Sequence, residues 1–370
     1  MNTSVFNNVF GDKKVLITGN TGFKGSWLTS WLLELGAKVY GISNEVPTKP
    51  SMFEVLKLEK KIDHAYIDIR DGKQLKEKIT SIAPDFIFHL AAQPIVSLSY
   101  KDPLDTISTN VMGTANTLEA IRELKNDCVA IIITSDKCYE NIEQIWGYKE
   151  DDQVGGKDIY SGSKGAAEVI FHSYYYSFFK NKHPNIRLAT ARAGNVIGGG
   201  DWAPDRIVVD CMKAWSNGEK VTIRSPQATR PWQHVLEPLS GYLRLAQVMF
   251  ENFESKKFNG DSFNFGPKSE QNKTVLSLLT DLSNHWHFSN ADDAFEVTDN
   301  IPFHEAGLLK LNCEKAATYL KWQPTLNFEE TIKFVSKWYY NFYNKKDMSI
   351  YEYTISQLNE YVEKYWENDR

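Results

Sequence analysis

KVLITGNTGFKG, residues 14–25, joins a short apolar run to three evenly spaced glycines. Val15, Leu16, Ile17 and Thr18 predict a strand, and residues 26–35 predict the helix beyond it. Gly19, Gly22 and Gly25 stand between them in G-x-x-G-x-x-G spacing. Such glycines tighten a strand-to-helix turn and let backbone N–H groups and a helix N-terminus approach a pyrophosphate. Gly19, Thr21, Gly22, Phe23, Lys24 and Gly25 are therefore the expected first wall of a dinucleotide site. A glycine-rich turn with no ligand is the alternative, and the rest of the chain decides between them.

Downstream, apolar runs and helical patterns alternate. Residues 38–43 (KVYGIS), 65–69, 85–90 (DFIFHL), 129–133 and 188–192 predict further strands. Helical patterns fall at 51–58, 75–82, 103–122 and from 160 onward. Runs as β-branched as 129–133 suit parallel strands buried on both faces. The alternation predicts an α/β fold, a Rossmann-like doubly wound parallel sheet, with its ligand at the C-terminal ends of the strands. At the second strand end, where an acidic residue usually holds the adenosine ribose, stands Ser43, followed by Asn44 and Glu45. That weakens the choice of NAD over its phosphorylated form. No arginine cluster stands ready for the extra phosphate, so NAD is the expected cofactor. Asp68 and Ile69 are expected to face the adenine. Leu90, Ala91 and Ala92 leave room for a cofactor to cross the sheet edge. Asn110 is expected to hold a water or a backbone group, or simply to pack.

Beyond residue 200 the periodicity weakens, with polar strand fragments at 220–224 and 263–266 (FNFG). The expected division is an NAD-binding domain over 1–197 and a smaller C-terminal substrate-binding domain over 198–370, some of whose segments return to the first. Helices are expected at 328–342 and 355–366, and residues 1–12 as a lead-in across the surface.

A chain of 370 residues easily buries a sizeable core. A formal charge of -5 gives no sign of a nucleic-acid partner. Cys128, Cys138, Cys211 and Cys313 lack metal-like spacing, and His285 and His287 read as surface residues, so no metal is expected. Residues 1–10 show neither a basic start nor a long apolar stretch, and no uncharged apolar run reaches membrane-spanning length. A cytoplasmic protein without a membrane partner is the expectation.

Tyr160 and Lys164 occur as YSGSK. Four residues apart on a helix, they share one face. An ammonium beside the phenol is expected to lower the tyrosine pKa and to bond the nicotinamide ribose. Such a tyrosine removes the proton of a sugar hydroxyl while the carbon-bound hydrogen leaves as hydride. Ser135, at the end of the 129–133 strand, is placed to bond the same hydroxyl.

TGNTGFKG (18–25), HLAAQ (89–93), NVMGT (110–114) and YSGSK (160–164) resemble the landmarks of the extended short-chain dehydrogenase/reductase family, over nearly the whole chain. Within it, TSDKCYEN (134–141) is similar to the segment in which nucleotide-sugar 4,6-dehydratases carry an acid and a base after the hydroxyl residue. Asp136 matches the acid. Lys137 replaces the more frequent Glu, as in the branch acting on CDP-glucose, which GGGDWAPDRIVVD (198–210) and ATRPWQHVLEPLSGYL (228–243) also resemble. The resemblance implies NAD, a CDP-glucose substrate and a homodimer through the Asn110 and Tyr160 helices. It also implies contacts to the sugar diphosphate from Asn195 and Arg230, with Arg206 as a second arginine candidate; Gln93 is a further expected substrate contact, and Trp202 or Trp232 are candidates to stack on the base.

Elimination of water across C5 and C6 of glucose is hard until C4 is a ketone and the C5 hydrogen becomes acidic. A protonated Asp136 can then give its proton to the departing C6 hydroxyl. Lys137 is the base only if neutral; otherwise it holds a water or stabilises the enolate. A 4-epimerase, the nearest rival, shares Ser135, Tyr160, Lys164 and NAD but does not need Asp136 or Lys137. A dehydratase of another nucleotide sugar and a non-catalytic dinucleotide sensor are more distant rivals.

Overall fold

The computed structural model describes residues 5–223, 225–268, 271–286, 288, 290–298 and 308–368. Arg224, at the end of the expected 220–224 strand, and His287 lie outside them.

Strand β1 (Lys14–Thr18) sits between β2 (Lys38–Ser43) and β4 (Phe86–His89) in a seven-stranded sheet. With β3 (Asp63–Tyr66), β5 (Cys128–Ile133), β6 (Ile186–Ala193) and β7 (Ser262–Phe265), the order is 3-2-1-4-5-6-7. Every neighbouring pair is parallel. The chain winds outward from β1 to β3 and then crosses to β4, so the topological switch point lies between β1 and β4.

Alternate side chains of a strand point to opposite faces, and here both faces are buried. Val15, Ile17, Phe86, Phe88, Val129 and Ile131 enter one core with α1 (Phe23–Glu34) and the later helix Leu236–Glu251. Leu16, Ile87, Ala130 and Ile132 enter the other, with α2 (Gly72–Ile82), α3 (Gly113–Arg122) and α4 (Ile159–Tyr174). The central strands β1, β4 and β5 therefore read as largely apolar runs without polar alternation.

Segments beyond 198 do return to the sheet. The FNFG fragment supplies β7, paired along Thr190–Ala193 of β6, and helix α5 (Leu236–Glu251) buries its apolar face in the first core. Helices α6 (Phe328–Asn344) and α7 (Ile350–Asn368) add Trp338, Tyr361 and Tyr365 to the same core, so their aromatic residues are packing residues.

Two expectations are corrected. Residues 5–10 do not lie across the surface: Val5, Phe6 and Phe10 are buried, with Phe10 against Phe86 at 4.9 Å. The third strand covers Asp63–Tyr66, and Asp68 and Ile69 fall in the turn after it. The helix expected over 103–122 is present, capped by Asp102: Pro103–Ile107 runs through a π turn at Ser108–Met112 into α3 with helical dihedrals at both junctions.

Candidate active site

At the switch point, Gly19 takes φ +76°, and a Cβ there would stand 2.7 Å from the backbone nitrogen of Ala91. A Cβ on Gly25 would meet the Gly19 carbonyl oxygen at 2.1 Å. Both approaches are backbone against backbone, so no side-chain movement relieves them. Gly22 caps α1 without a side-chain hydrogen bond, and the first turn carries no acidic residue. The early N–H groups of α1 thus have neither an intrahelical acceptor nor a capping side chain, and the positive end of the helix faces the strand ends. This cradle fits a dinucleotide pyrophosphate. Ala91 and Ala92 follow β4 half-buried, consistent with a ligand crossing there.

At the adenosine end, the Ser43 hydroxyl donates to Asn20 Oδ1 at 2.9 Å and accepts the Thr21 N–H at 3.3 Å. The Thr21 hydroxyl donates to the Glu45 carbonyl at 2.7 Å. Nothing in the spacing of the sequence marks Asn20. It is fully buried and also bonded to His64 Nδ1 at 3.2 Å, and it explains Gly41, where a Cβ would lie 2.4 Å from its amide nitrogen. Asp68 is paired with Arg70 at 2.6 Å, and that arginine also meets Asp105 at 2.6 Å. The Ile69 side chain is buried against Gly113 in the second core, so only its backbone is left to meet an adenine.

The side chains expected to be catalytic converge from two elements. Ser135 and Asp136 follow β5, and Tyr160 and Lys164 lie on α4, whose first turn is capped by the Asp158 carboxylate. The Ser135 hydroxyl donates to Asp136 Oδ1 at 2.8 Å, accepts the Lys137 N–H at 3.2 Å and acts to lower the pKa of the nearby Tyr160. All four side chains are buried, while Lys137 is half-buried. Burial raises the Asp136 carboxyl above the ordinary carboxylate range, against the opposing charges of Lys137 and Lys24 and the Ser135 hydrogen bond. It is thereby biased toward the protonated form a general acid needs.

The expected lowering of Tyr160 is not what this environment does. Burial pushes the phenol up to about 12, with Arg206 as the largest opposing influence, and burial lowers Lys164 to about 8. Desolvation penalises phenolate and ammonium alike, and here the opposing influences do not offset it. Lys24, read as part of the pyrophosphate wall, also presents its ammonium toward the reacting groups. It stands 5.9 Å from the Tyr242 ring and is lowered to about 8 by burial, with Asp136 opposing and Arg206 and Lys164 adding.

Of the residues expected on the substrate, Arg206 precedes the Ile207–Ser216 helix and acts electrostatically on Tyr160, Lys24 and Asp201. Asn195 is half-buried just past β6. Arg230 lies on a separate ribbon, with Nη1 on the Thr229 carbonyl at 2.8 Å. The Gln93 amide bonds the Ile95 N–H and the Thr106 hydroxyl, and so shapes its own loop. Asn110 takes the backbone role: Oδ1 accepts the Gln93 N–H at 2.8 Å, and Nδ2 donates to Ser163 of α4 at 2.9 Å. Trp202 and Trp232 do not offer a base-stacking face. Both are buried, with their indole N–H groups on Tyr343 and the Lys273 carbonyl. Cys138 and His234 are buried packing residues, His234 between Trp27 and Phe334.

A second feature that spacing misses is the buried pair Glu168–Arg192, at 2.9 Å. Its signal is an arginine inside an eight-residue strand, β6, that is buried throughout, where a charge requires a partner.

Comparison with known proteins agrees with this geometry. Residues 16–335 match the family described as GDP-mannose 4,6 dehydratase. The chain is 45% identical over 348 residues to CDP-glucose 4,6-dehydratase of Salmonella typhimurium, covering 93% of this chain and 95% of that one. It is 23% identical to a dTDP-glucose 4,6-dehydratase of Xanthomonas campestris, over 88% of this chain and 92% of that one. Among solved structures, the Methanothermobacter thermautotrophicus epimerase Mth375 shares the fold at TM-score 0.76 and 19% identity, over 94% of this chain and 99% of that one. The NAD complex of dTDP-glucose 4,6-dehydratase from Bacillus anthracis does so at 0.72 and 19%, over 90% and 98%. With the dinucleotide cradle, the Ser135–Tyr160–Lys164 constellation and a family match over most of its length, the chain belongs to the GDP-mannose 4,6 dehydratase family of NAD-dependent epimerases and dehydratases.

Proposed function

We propose that this enzyme converts CDP-glucose to CDP-4-keto-6-deoxyglucose and water. The observation that carries the reading is Asp136, a buried carboxyl held toward its neutral form and bonded to the serine that faces Tyr160. An epimerase needs the serine, tyrosine and lysine but has no use for an acid there.

The Gly19–Gly25 cradle holds the NAD pyrophosphate, and Lys164 holds the nicotinamide ribose. When bound, NAD supplies the acceptor for the C4 hydride and the donor that returns it at C6. Tyr160 takes the C4 hydroxyl proton, with Ser135 orienting that hydroxyl and the Arg206 charge favouring the phenolate. The new carbonyl acidifies the C5 hydrogen. Lys137 stands beside Asp136 to take that proton or to hold the water that does. Asp136 protonates the C6 oxygen as the C6–O bond breaks and water leaves, and the proton removed from C5 is returned to C5 when C6 is reduced. Asn195, Arg206 and Arg230 are proposed on the diphosphate, with Gln93 shaping the loop beneath it. The cytidine preference rests on the 45% identical relative, whose own substrate is CDP-glucose by its name.

The division into a cofactor domain over 1–197 and a substrate domain mainly over 198–370 remains part of this proposal. So does a homodimer. Tyr100, Leu104 and Met112 on the segments before α3, and Val169 on α4, are 69%, 76%, 54% and 50% exposed, an apolar surface suited to a second copy. Among the described residues no helix is long and apolar enough to cross a membrane. Incubation of the enzyme and NAD with CDP-, UDP-, GDP- and dTDP-glucose separately, read by mass spectrometry, tests the reading. Loss of one water from CDP-glucose supports it. Loss from another nucleotide sugar reassigns the base, and isomerisation without mass change makes the enzyme an epimerase.

A further inference from the structure

The segment TSDKCY, 134–139, carries Ser135, Asp136 and Lys137, and one buried ion pair grips both its ends. At the first end, the Thr134 hydroxyl donates to Glu168 Oε1 at 2.5 Å. At the other, Arg192 Nη1 donates to the Tyr139 hydroxyl at 2.7 Å, and that hydroxyl donates to Asn264 Oδ1 at 2.8 Å. Glu168 and Arg192 meet in a fork, Nε to Oε1 and Nη2 to Oε2, both at 2.9 Å. Their side chains are 0% and 1% exposed. Thr190 on β6 donates to Glu168 Oε2 at 3.0 Å, and Ser262 on β7 accepts from Arg192 Nη2 at 3.1 Å. Glu168 lies one turn beyond Lys164 and two beyond Tyr160 on α4. Burial works against its charge, but the Arg192 charge and the hydrogen bonds hold it ionised.

We infer that Glu168 and Arg192 are positioning residues that set the register of the Ser135–Lys137 segment against Tyr160 and Lys164. The pair touches neither substrate nor cofactor in the proposed mechanism. It is the shared anchor of the helix that carries the oxidising pair and of the segment that carries the eliminating pair. Stability alone does not account for such a pair, because buried ion pairs exchanged for apolar side chains of similar volume are often neutral or stabilising. What an apolar exchange discards is direction, and a displacement of about 1 Å in a reacting group can lower a rate about a hundredfold.

The inference rests on the proposed dehydration for its kinetic arm but not for its structural one. Thr134→Val and Tyr139→Phe each remove one tether, Thr134→Ser restores the hydroxyl, and the double variant Glu168→Met with Arg192→Met removes the anchor. Crystal structures of these NAD-bound enzymes, thermal unfolding, and kcat and KM for CDP-glucose are the readouts. Expected is a fold and KM near wild type, with kcat down about tenfold in each single variant and about a hundredfold in the double one. Residues 135–137 shift relative to Tyr160, and Thr134→Ser recovers the wild-type rate. Wild-type kcat and an unmoved segment in the single variants overturn the inference, as does a KM that rises by the factor that kcat falls. If the double variant does not fold, the two single variants decide. A wild-type enzyme silent on CDP-glucose overturns the proposed function and leaves the crystallographic displacement to judge the clamp.

Discussion

Replacing Asp136 by Asn separates the two halves of the proposed reaction. The substitution is isosteric, and the amide oxygen still accepts the Ser135 hydroxyl, which stands 2.8 Å from Asp136 Oδ1. What disappears is the titrating carboxyl whose pKa burial raises against the charges of Lys137 and Lys24. General acid catalysis is worth about 10²–10⁴-fold, or roughly 3–5 kcal/mol of barrier, and that is the predicted loss for water elimination. Oxidation at C4 uses Ser135, Tyr160 and Lys164 and is predicted to stay within about threefold, since no donor or acceptor is lost to those groups. Single-turnover mixing with CDP-glucose resolves the two, with nicotinamide absorbance reporting oxidation and quenched-flow mass spectrometry reporting loss of water. The pH dependence carries a sign. The acid works protonated, so elimination in the wild type falls as pH rises through the raised Asp136 pKa, and this limb is absent in the variant. An equal fall of oxidation and elimination refutes the assignment of the acid.

Gly25→Ala places a Cβ 2.1 Å from the Gly19 carbonyl oxygen, so the cradle must open. The variant is expected to lose the thermal stabilisation that NAD gives the wild type, measured by calorimetry with and without the dinucleotide. Arg206→Met removes the largest influence opposing the rise of Tyr160, so the phenol titrates higher still and the acidic limb of C4 oxidation moves to higher pH. An unmoved limb in the oxidation pH profile excludes this role. Leu104→Glu puts a charge on a side chain that is 76% exposed and proposed to face a second copy. Sedimentation is expected to show dissociation to monomers with unfolding unchanged.

Local spacing made the cradle and the Tyr160–Lys164 pair legible in the sequence. Both are built within one turn of chain, so residue order nearly dictates geometry. The centre of the sheet was legible for the same reason, β1, β4 and β5 being largely apolar runs. Features that depend on contacts far along the chain were not. Asn20 reads as an ordinary loop residue until Ser43, Gly41 and His64 are folded beside it, and Glu168 becomes structural only when Arg192 arrives from β6. Trp202 and Trp232 show the converse. They were candidates to stack on a base, but α6 and the 271–274 segment bury them. The start of the 103–122 helix was signalled by Asp102-Pro103, a cap followed by proline. The π turn that aims Asn110 at Gln93 left no comparable mark.

The central claim is a net dehydration without net redox change. The enzyme, incubated with CDP-glucose and NAD, should yield a product lighter by one water, with deuterium from C4 of labelled substrate recovered at C6 and no NADH accumulating. An unchanged mass, or label retained at C4 with the opposite stereochemistry there, contradicts it and makes the enzyme an epimerase.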